Sequence, residues 1–177
     1  MMKEKRAMKL IAAMIALTIT AVSAAAADGN TAWGARAAQA DTERSVEEML
    51  KYAIQDEYLA RAEYRAIMGK YGEIRPFANI VESEESHIAW LKDAYASRGL
   101  KVPADEAAAF IIVPASLEEA FRTGVAAEVD NIAMYDSFIS SKLISAPENS
   151  SLKDLFERLR DASKNHLAAF QNGLNRY

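Results

Sequence analysis

The chain has no cysteine among its 177 residues. That excludes disulfides, thiolate zinc sites, iron–sulfur clusters, cysteine nucleophiles and lipid attachment to a processed N-terminal cysteine. Any bound metal must therefore be held by carboxylate, imidazole or backbone oxygen. Histidine is also scarce, with two copies. Seven glycines and four prolines are too few for a collagenous or linker-like chain, and 51% hydrophobic residues are too many for a disordered one. Basic residues are in the minority, 21 Lys and Arg against 25 Asp and Glu, for a net charge of -4. This balance argues against nucleic acid or an anionic membrane surface as a partner, since both recruit basic surface. The length suits one globular domain.

The N-terminus has its own composition. Lys3, Lys5, Arg6 and Lys9 make a basic start, Leu10 to Val22 is an uncharged, mostly apolar run, and Ser23 to Ala27 is small throughout. This order predicts a secretory signal over 1–27, with Ala25-Ala26-Ala27 as the A-x-A cleavage site. The competing reading is an uncleaved anchor, because Leu10 to Ala27 is nearly long enough to span a bilayer. Cleavage removes four basic residues and Glu4, leaving a more acidic chain exported to the periplasm or the extracellular space, with no membrane contact. No later run approaches transmembrane length.

Residues 28–43 are rich in Ala, Gly, Asn and Gln without a sustained period and read as a flexible leader. From 44 to 177 the apolar spacing is helical. The first helix, about 44–71, carries Val46, Leu50, Ala53, Ala60, Tyr64, Ile67 and Tyr71 and stops at Gly72. The second runs from Pro76 to Gly99 on Phe77, Ile80, Ile88, Leu91 and Ala94. The third opens with Ser116 and Glu119 as a capping box and continues to about Ile144 on Leu117, Phe121, Ile132, Tyr135 and Ile139. The fourth opens at Ser150 or Ser151 and carries Leu152, Leu155, Leu159, Phe170 and Leu174.

Four helices of such similar length, about 33 to 43 Å at 1.5 Å per residue, match as members of one bundle. Short connections make antiparallel hairpins of the first and last pairs. The middle connection, Leu100 to Ala115, can reach roughly 50 Å, enough to return along the bundle. The predicted fold is an all-α, ferritin-like antiparallel four-helix bundle with a long crossover between helices 2 and 3.

Polar residues interrupt these stripes. Glu57 lies between Ala53 and Ala60. Glu84 and His87 lie between Ile80 and Leu91, three residues apart. Glu128 is seven residues from both Phe121 and Tyr135, and His166 falls between Leu159 and Phe170. Counting from the turns puts all five near mid-bundle. Three carboxylates and two imidazoles buried at one level are costly without a positive partner, and a divalent ion or a pair of ions supplies one. Read singly, each has an ordinary alternative. Glu57 can pair with Arg61 one turn on, Glu128 can sit at a solvated stripe edge, and one Glu-x-x-His occurs by chance. Glu63, Glu82, Glu85, Glu118 and Glu119 lie off the stripes and are predicted to face solvent. The Tyr and Met residues read as core.

The segments Asp56-Glu57-Tyr58-Leu59-Ala60-Arg61, Phe77-Ala78-Asn79-Ile80 through Ser83-Glu84-Glu85-Ser86-His87, Ala127-Glu128 through Tyr135-Asp136, and Ser163-Lys164-Asn165-His166 through Phe170 resemble the ferritin-like superfamily. Within it they are most similar to the prokaryotic group catalogued as domain of unknown function 2202. The similarity covers about Val46 to Asn175. It implies a dinuclear iron site with Glu57, Glu84, His87, Glu128 and His166 as ligands and Glu84 as a bridge. It also implies oxidation of ferrous iron by dioxygen or peroxide, or reduction of peroxide. The donor set itself also suits Mn or Zn.

One position departs from the pattern. Ser163 stands three residues before His166, where a second bridging Glu is usual, and Asn131 and Asp130 are weaker substitutes. The expectation is one tight ion at Glu57, Glu84 and His87 and a weaker one near Glu128 and His166. The sequence thus reads as an exported ferroxidase or peroxide-consuming oxidoreductase, acting on metal ions and dioxygen or peroxide, with a homodimer as an open expectation. The alternative is a non-catalytic exported bundle that binds a partner or envelope component.

Overall fold

Ser45 opens the first long helix. Its hydroxyl accepts from the Glu48 amide at 3.2 Å, while Glu48 Oε2 accepts from the Ser45 amide at 2.7 Å, a reciprocal capping box. Ser116 caps a later helix by accepting from Glu119 N at 3.1 Å. There the Glu119 carboxylate reaches the Ala115 amide instead of that of Ser116. In the computed structural model these caps and three further helix starts give five α-helices over the described residues, 32–177. They are α1 (Gly34–Ala40), α2 (Val46–Tyr71), α3 (Phe77–Ser97), α4 (Leu117–Ile139) and α5 (Ser150–Leu174), with 3-10 turns at Ala107–Ala109 and Pro147–Asn149. No strand occurs among the described residues, and none of their helices is long and apolar enough to cross a membrane. The predicted signal, 1–27, and residues 28–31 of the leader lie outside the described residues.

The chain is an all-α helical bundle. α2 packs on α3 and α4 on α5, and the pairs meet through α2 with α4 and α3 with α5. Residues 100–116 join α3 to α4 and lay the Ala107–Ala109 turn on α2. Arg61 fastens this connection by pairing with Asp105 and, at 2.9 Å, with Glu85. Arg61 is thus not the partner of Glu57. At the far end, Lys70 Nζ and Tyr71 OH both donate to the Pro114 carbonyl.

Two apolar clusters fill the bundle. One gathers Leu50, Ile54, Leu91, Tyr135, Phe138, Phe156 and Leu159, and the other Tyr64, Ile67, Phe77, Phe121 and Phe170. In the second, α4 and α5 approach closely enough that a Cβ on Gly173 would lie 2.0 Å from the Phe121 ring.

Three features differ from the sequence expectation. α4 ends at Ile139, not near Ile144. Ser140 and Ser141 bond locally to the Ser137 carbonyl and the Ile144 amide, which offers the backbone an alternative to the helix. Ile144 is still fully buried, on irregular chain.

Second, the leader is not plain linker where it is described. α1 lies against α2 and α4, buries Ala35 and Ala38, and is preceded by Trp33, which stacks on Phe110 with ring centroids 4.8 Å apart. Seven residues are too few for a helical period to show in the sequence.

Third, Glu63 is half-buried, and burial raises its carboxyl to about 7, against the pull of Arg36 on α1. The docking of α1 accounts for its departure from the expected solvent-facing position.

Candidate metal centre

All five predicted ligand residues converge between the two apolar clusters. Glu57, Glu84, His87 and Glu128 are 3% exposed or less and His166 is 7% exposed. α2 supplies Glu57, α3 supplies Glu84 and His87 one turn apart, α4 supplies Glu128, and α5 supplies His166. Each falls on the inward stripe of its helix because apolar residues three and four positions away carry that face into the core.

The geometry is organised around Glu84. Its Oε2 lies 2.8 Å from His87 Nδ1 and its Oε1 lies 3.2 Å from His166 Nδ1. On the outer sides, Glu57 Oε2 is 3.0 Å from His87 Nδ1 and Glu128 Oε1 is 3.6 Å from His166 Nδ1. The imidazole rings stack at 5.7 Å and 25°. Two donor sets result, Glu57–Glu84–His87 and Glu84–Glu128–His166, each with its ligating atoms within 4.8 Å of one another.

Two tyrosines hold the outer carboxylates. Tyr135 OH donates to Glu57 Oε1 at 2.6 Å and Tyr64 OH donates to Glu128 Oε1 at 2.9 Å. Each tyrosine thus crosses to the carboxylate of the other helix. Their hydroxyls are pushed well above the ordinary phenol range, by burial first and then by the neighbouring carboxylates, so they remain donors. The sequence reading assigned both to the core. A matched seven-residue spacing, Glu57 to Tyr64 and Glu128 to Tyr135, was the available signal. Ser83 Oγ lies 3.1 Å from His87 Nε2 and fixes the second nitrogen of that ring, so that Nδ1 faces the carboxylates.

The protonation pattern shows what the cluster lacks. Burial alone would lower both imidazoles. Glu57 and Glu84 instead carry His87 up to about 10, and Glu128 and Glu84 carry His166 up to about 9. Burial, reinforced by the charge of Glu84, raises Glu57 to about 7. Burial would raise Glu84 as well, but Glu57, His166 and His87, gathered close around its oxygens, outweigh it and hold Glu84 near 2. The protein alone therefore gathers protons to offset three buried carboxylates, and a cation at the same place takes over that task. The donors fit such an ion. His166 Nδ1 is buried and makes no hydrogen bond, since Glu84 Oε1 at 3.2 Å is not aligned to accept and Glu128 Oε1 at 3.6 Å is too far. An orphaned imidazole nitrogen between carboxylates suits coordination.

The position of the absent second bridging carboxylate is also resolved. Ser163, 3% exposed, donates to Asn131 Oδ1 at 2.8 Å or to the Leu159 carbonyl at 3.0 Å, and Asn131 Nδ2 donates to Asp56 Oδ2 at 2.7 Å. Asp130, the other expected substitute, is half-buried and belongs to neither donor set. The sequence reading did not single out Asp56.

No family model matches the chain. It is similar to the uncharacterized protein MJ0754 of Methanocaldococcus jannaschii, 27% identical over 133 residues that make up 70% of this chain and 71% of that one. No solved structure matches.

Proposed function

We propose that the chain is a ferritin-like bundle that binds iron at Glu57, Glu84, His87, Glu128 and His166 and turns over ferrous iron with dioxygen or peroxide. One observation carries this reading: the two oxygens of Glu84 face two different imidazole nitrogens, with one further carboxylate on each outer side. A central carboxylate flanked by two Glu–His pairs from four helices is the donor arrangement of the carboxylate-bridged bundles less their second bridging Glu. The hairpin pairs joined by residues 100–116 support the same fold. Iron, when bound, would supply one-electron chemistry, with manganese and zinc as ions of compatible ligand preference.

The protein's own residues set the conditions for that chemistry. Glu84 holds both positions at one separation. The Tyr135 hydroxyl fixes the free oxygen of Glu57, so that Glu57 Oε2 stays toward His87, and Tyr64 holds the Glu128 oxygen that faces His166. The apolar clusters exclude bulk water. In peroxide reduction, two ferrous ions as substrate give up two electrons, and one peroxide takes these with two protons to become two waters. His87 and His166, protonated in the metal-free protein, release their protons as ions bind. The reading includes export after cleavage near Ala27, so mass spectrometry of the secreted chain should find a start at or near Asp28.

Anaerobic addition of ferrous iron followed by air or peroxide tests the activity. Iron oxidation well above the buffer blank, lost in Glu84→Ala, is expected. Oxidation at the blank rate by folded protein would overturn the catalytic reading and favour a bundle in which any metal is structural.

A further inference from the structure

The second bridging carboxylate usual at position 163 is replaced by a chain of hydrogen bonds that runs from Ser163 through Asn131 to Asp56. Asp56 accepts at Oδ1 from the Ala35 amide at 2.8 Å and at Oδ2 from Asn131 Nδ2 at 2.7 Å. With both Asp56 oxygens accepting, the Asn131 amide has its nitrogen toward Asp56 and its oxygen toward Ser163. Asn131 is 5% exposed and sits one turn beyond Glu128 on the same inward face of α4. Ser163 sits one turn before His166 on α5. The bonded pair Asn131–Ser163 is thus one helical turn from both Glu128 and His166 and borders the Glu84–Glu128–His166 donor set.

Ser163 completes the chain. Its hydroxyl carries one hydrogen and has two acceptors in reach, Asn131 Oδ1 and the Leu159 carbonyl. Turning that hydrogen to Leu159 frees the amide oxygen at no loss in the number of hydrogen bonds. Amide carbonyl oxygen is a hard, neutral donor used for divalent ions that favour oxygen ligands. The other end of the chain is equally defined. Gly34, at φ 57°, brings the α1 backbone so close that a Cβ there would lie 2.4 Å from Asp56 Oδ1.

We propose that Asn131 Oδ1 is a ligand of the second metal position, beside Glu84, Glu128 and His166, and that Asp56 is the positioning residue that aims it. This rests on the metal-centre reading above. The position then gains an oxygen donor without gaining charge. α1, through Asp56, becomes part of the second position's support.

The test is anaerobic calorimetric titration of manganese(II) into the full folded protein and its variants, with cobalt(II) absorption as an independent report on coordination. Asn131→Ala is expected to weaken the second ion by about tenfold or more while leaving the ion at Glu57, Glu84 and His87 unchanged. Asp56→Ala is expected to weaken the same ion. The Asp56→Ala/Asn131→Ala pair should be no worse than Asn131→Ala alone, because Asp56 acts through Asn131. Residues in contact couple in any case, so the decisive reading is that both losses fall on the second ion and spare the ion at Glu57, Glu84 and His87. Ser163→Ala is expected to leave the second ion as tight or tighter. Loss of the second ion in Ser163→Ala would assign the ligand to the serine and overturn the proposal. So would a second ion unaffected by Asn131→Ala, or additive losses in the pair. Should Asn131→Ala not fold, Ser163→Ala and the cobalt spectrum of Asp56→Ala decide the question. If the unmodified protein binds no ion, it is the metal-centre reading that fails; if it binds two and Asn131 is silent, only this assignment fails.

Discussion

Tyr135 on α4 donates to Glu57 on α2 across 2.6 Å of buried space, and the exchange is returned by Tyr64 on α2 to Glu128 on α4. The two long helices thus hold each other's carboxylates. Neither hydroxyl can be removed without leaving a buried oxygen short of a donor.

Tyr135→Phe should therefore cost about 1–3 kcal/mol in the metal-free protein, the usual penalty for a buried group left unpaired. Urea unfolding with and without a divalent ion measures it. The penalty should shrink when metal is present, because the ion then holds Glu57. An equal loss in both conditions would mean that the phenol serves packing alone.

Metal should raise the unfolding midpoint, since the ligands come together only in the folded chain. At a free concentration near 100 times the dissociation constant the gain is about 2.7 kcal/mol per ion. In His87→Ala the share contributed by the Glu57–Glu84–His87 position should vanish while far-ultraviolet circular dichroism keeps its helical form. A full metal-dependent shift in that variant would remove His87 from the ligand set.

Glu63 gives a pH prediction away from the ligands. Its carboxyl is raised by burial to about 7, above its value in the unfolded chain. Below about 4.5 it is protonated in both states and costs nothing. As pH rises toward 7 the unfolded chain ionises first, so stability falls through this window and then levels off. Glu63→Gln should leave the melting temperature unchanged at pH 4 and raise it at pH 8. A variant no more stable than the parent at pH 8 would show that the Arg36 side chain fully offsets the burial.

Gly173→Ala and Gly69→Ala should act in opposite directions. The first drives a methyl into Phe121, and overpacking of this kind costs about 1–3 kcal/mol. The second meets nothing within 4 Å on an exposed stretch of α2 and should gain about 0.5–1 kcal/mol from helix propensity. Thermal melts of the two variants side by side check both signs.

The convergence of the five candidate ligands was legible in the sequence because a charged or polar residue on an apolar stripe is conspicuous. Glu57 between Ala53 and Ala60, or His166 between Leu159 and Phe170, breaks a pattern that one helix already sets. The helix start at Ser116 was legible for a similar reason, since caps are local chemistry, whereas the Ser45 capping box was not read and α5 opens at Ser150 without a side-chain cap. What escaped was relational. Tyr64 and Tyr135 look like ordinary core residues until the opposite helix is in place. Asp56 stands beside Glu57 with nothing in its own helix to mark it, because its partners Ala35 and Asn131 are 21 and 75 residues away. α1 lacked the length to declare itself, and the early end of α4 reflects serine hydrogen bonds that compete with a pattern still apolar at Ile144.

The placement of α1 also sets where the folded unit begins for anyone producing this protein. Apolar periodicity alone puts that boundary near residue 44, and a chain cut there retains all four long helices and every proposed ligand. It would nonetheless lose Trp33 from the face of Phe110, uncover the α2–α4 seam that Ala35 and Ala38 seal, and leave Asp56 without the Ala35 amide. An expression boundary placed before Trp33 keeps these contacts. An N-terminal tag should be joined upstream of that point, never in exchange for it.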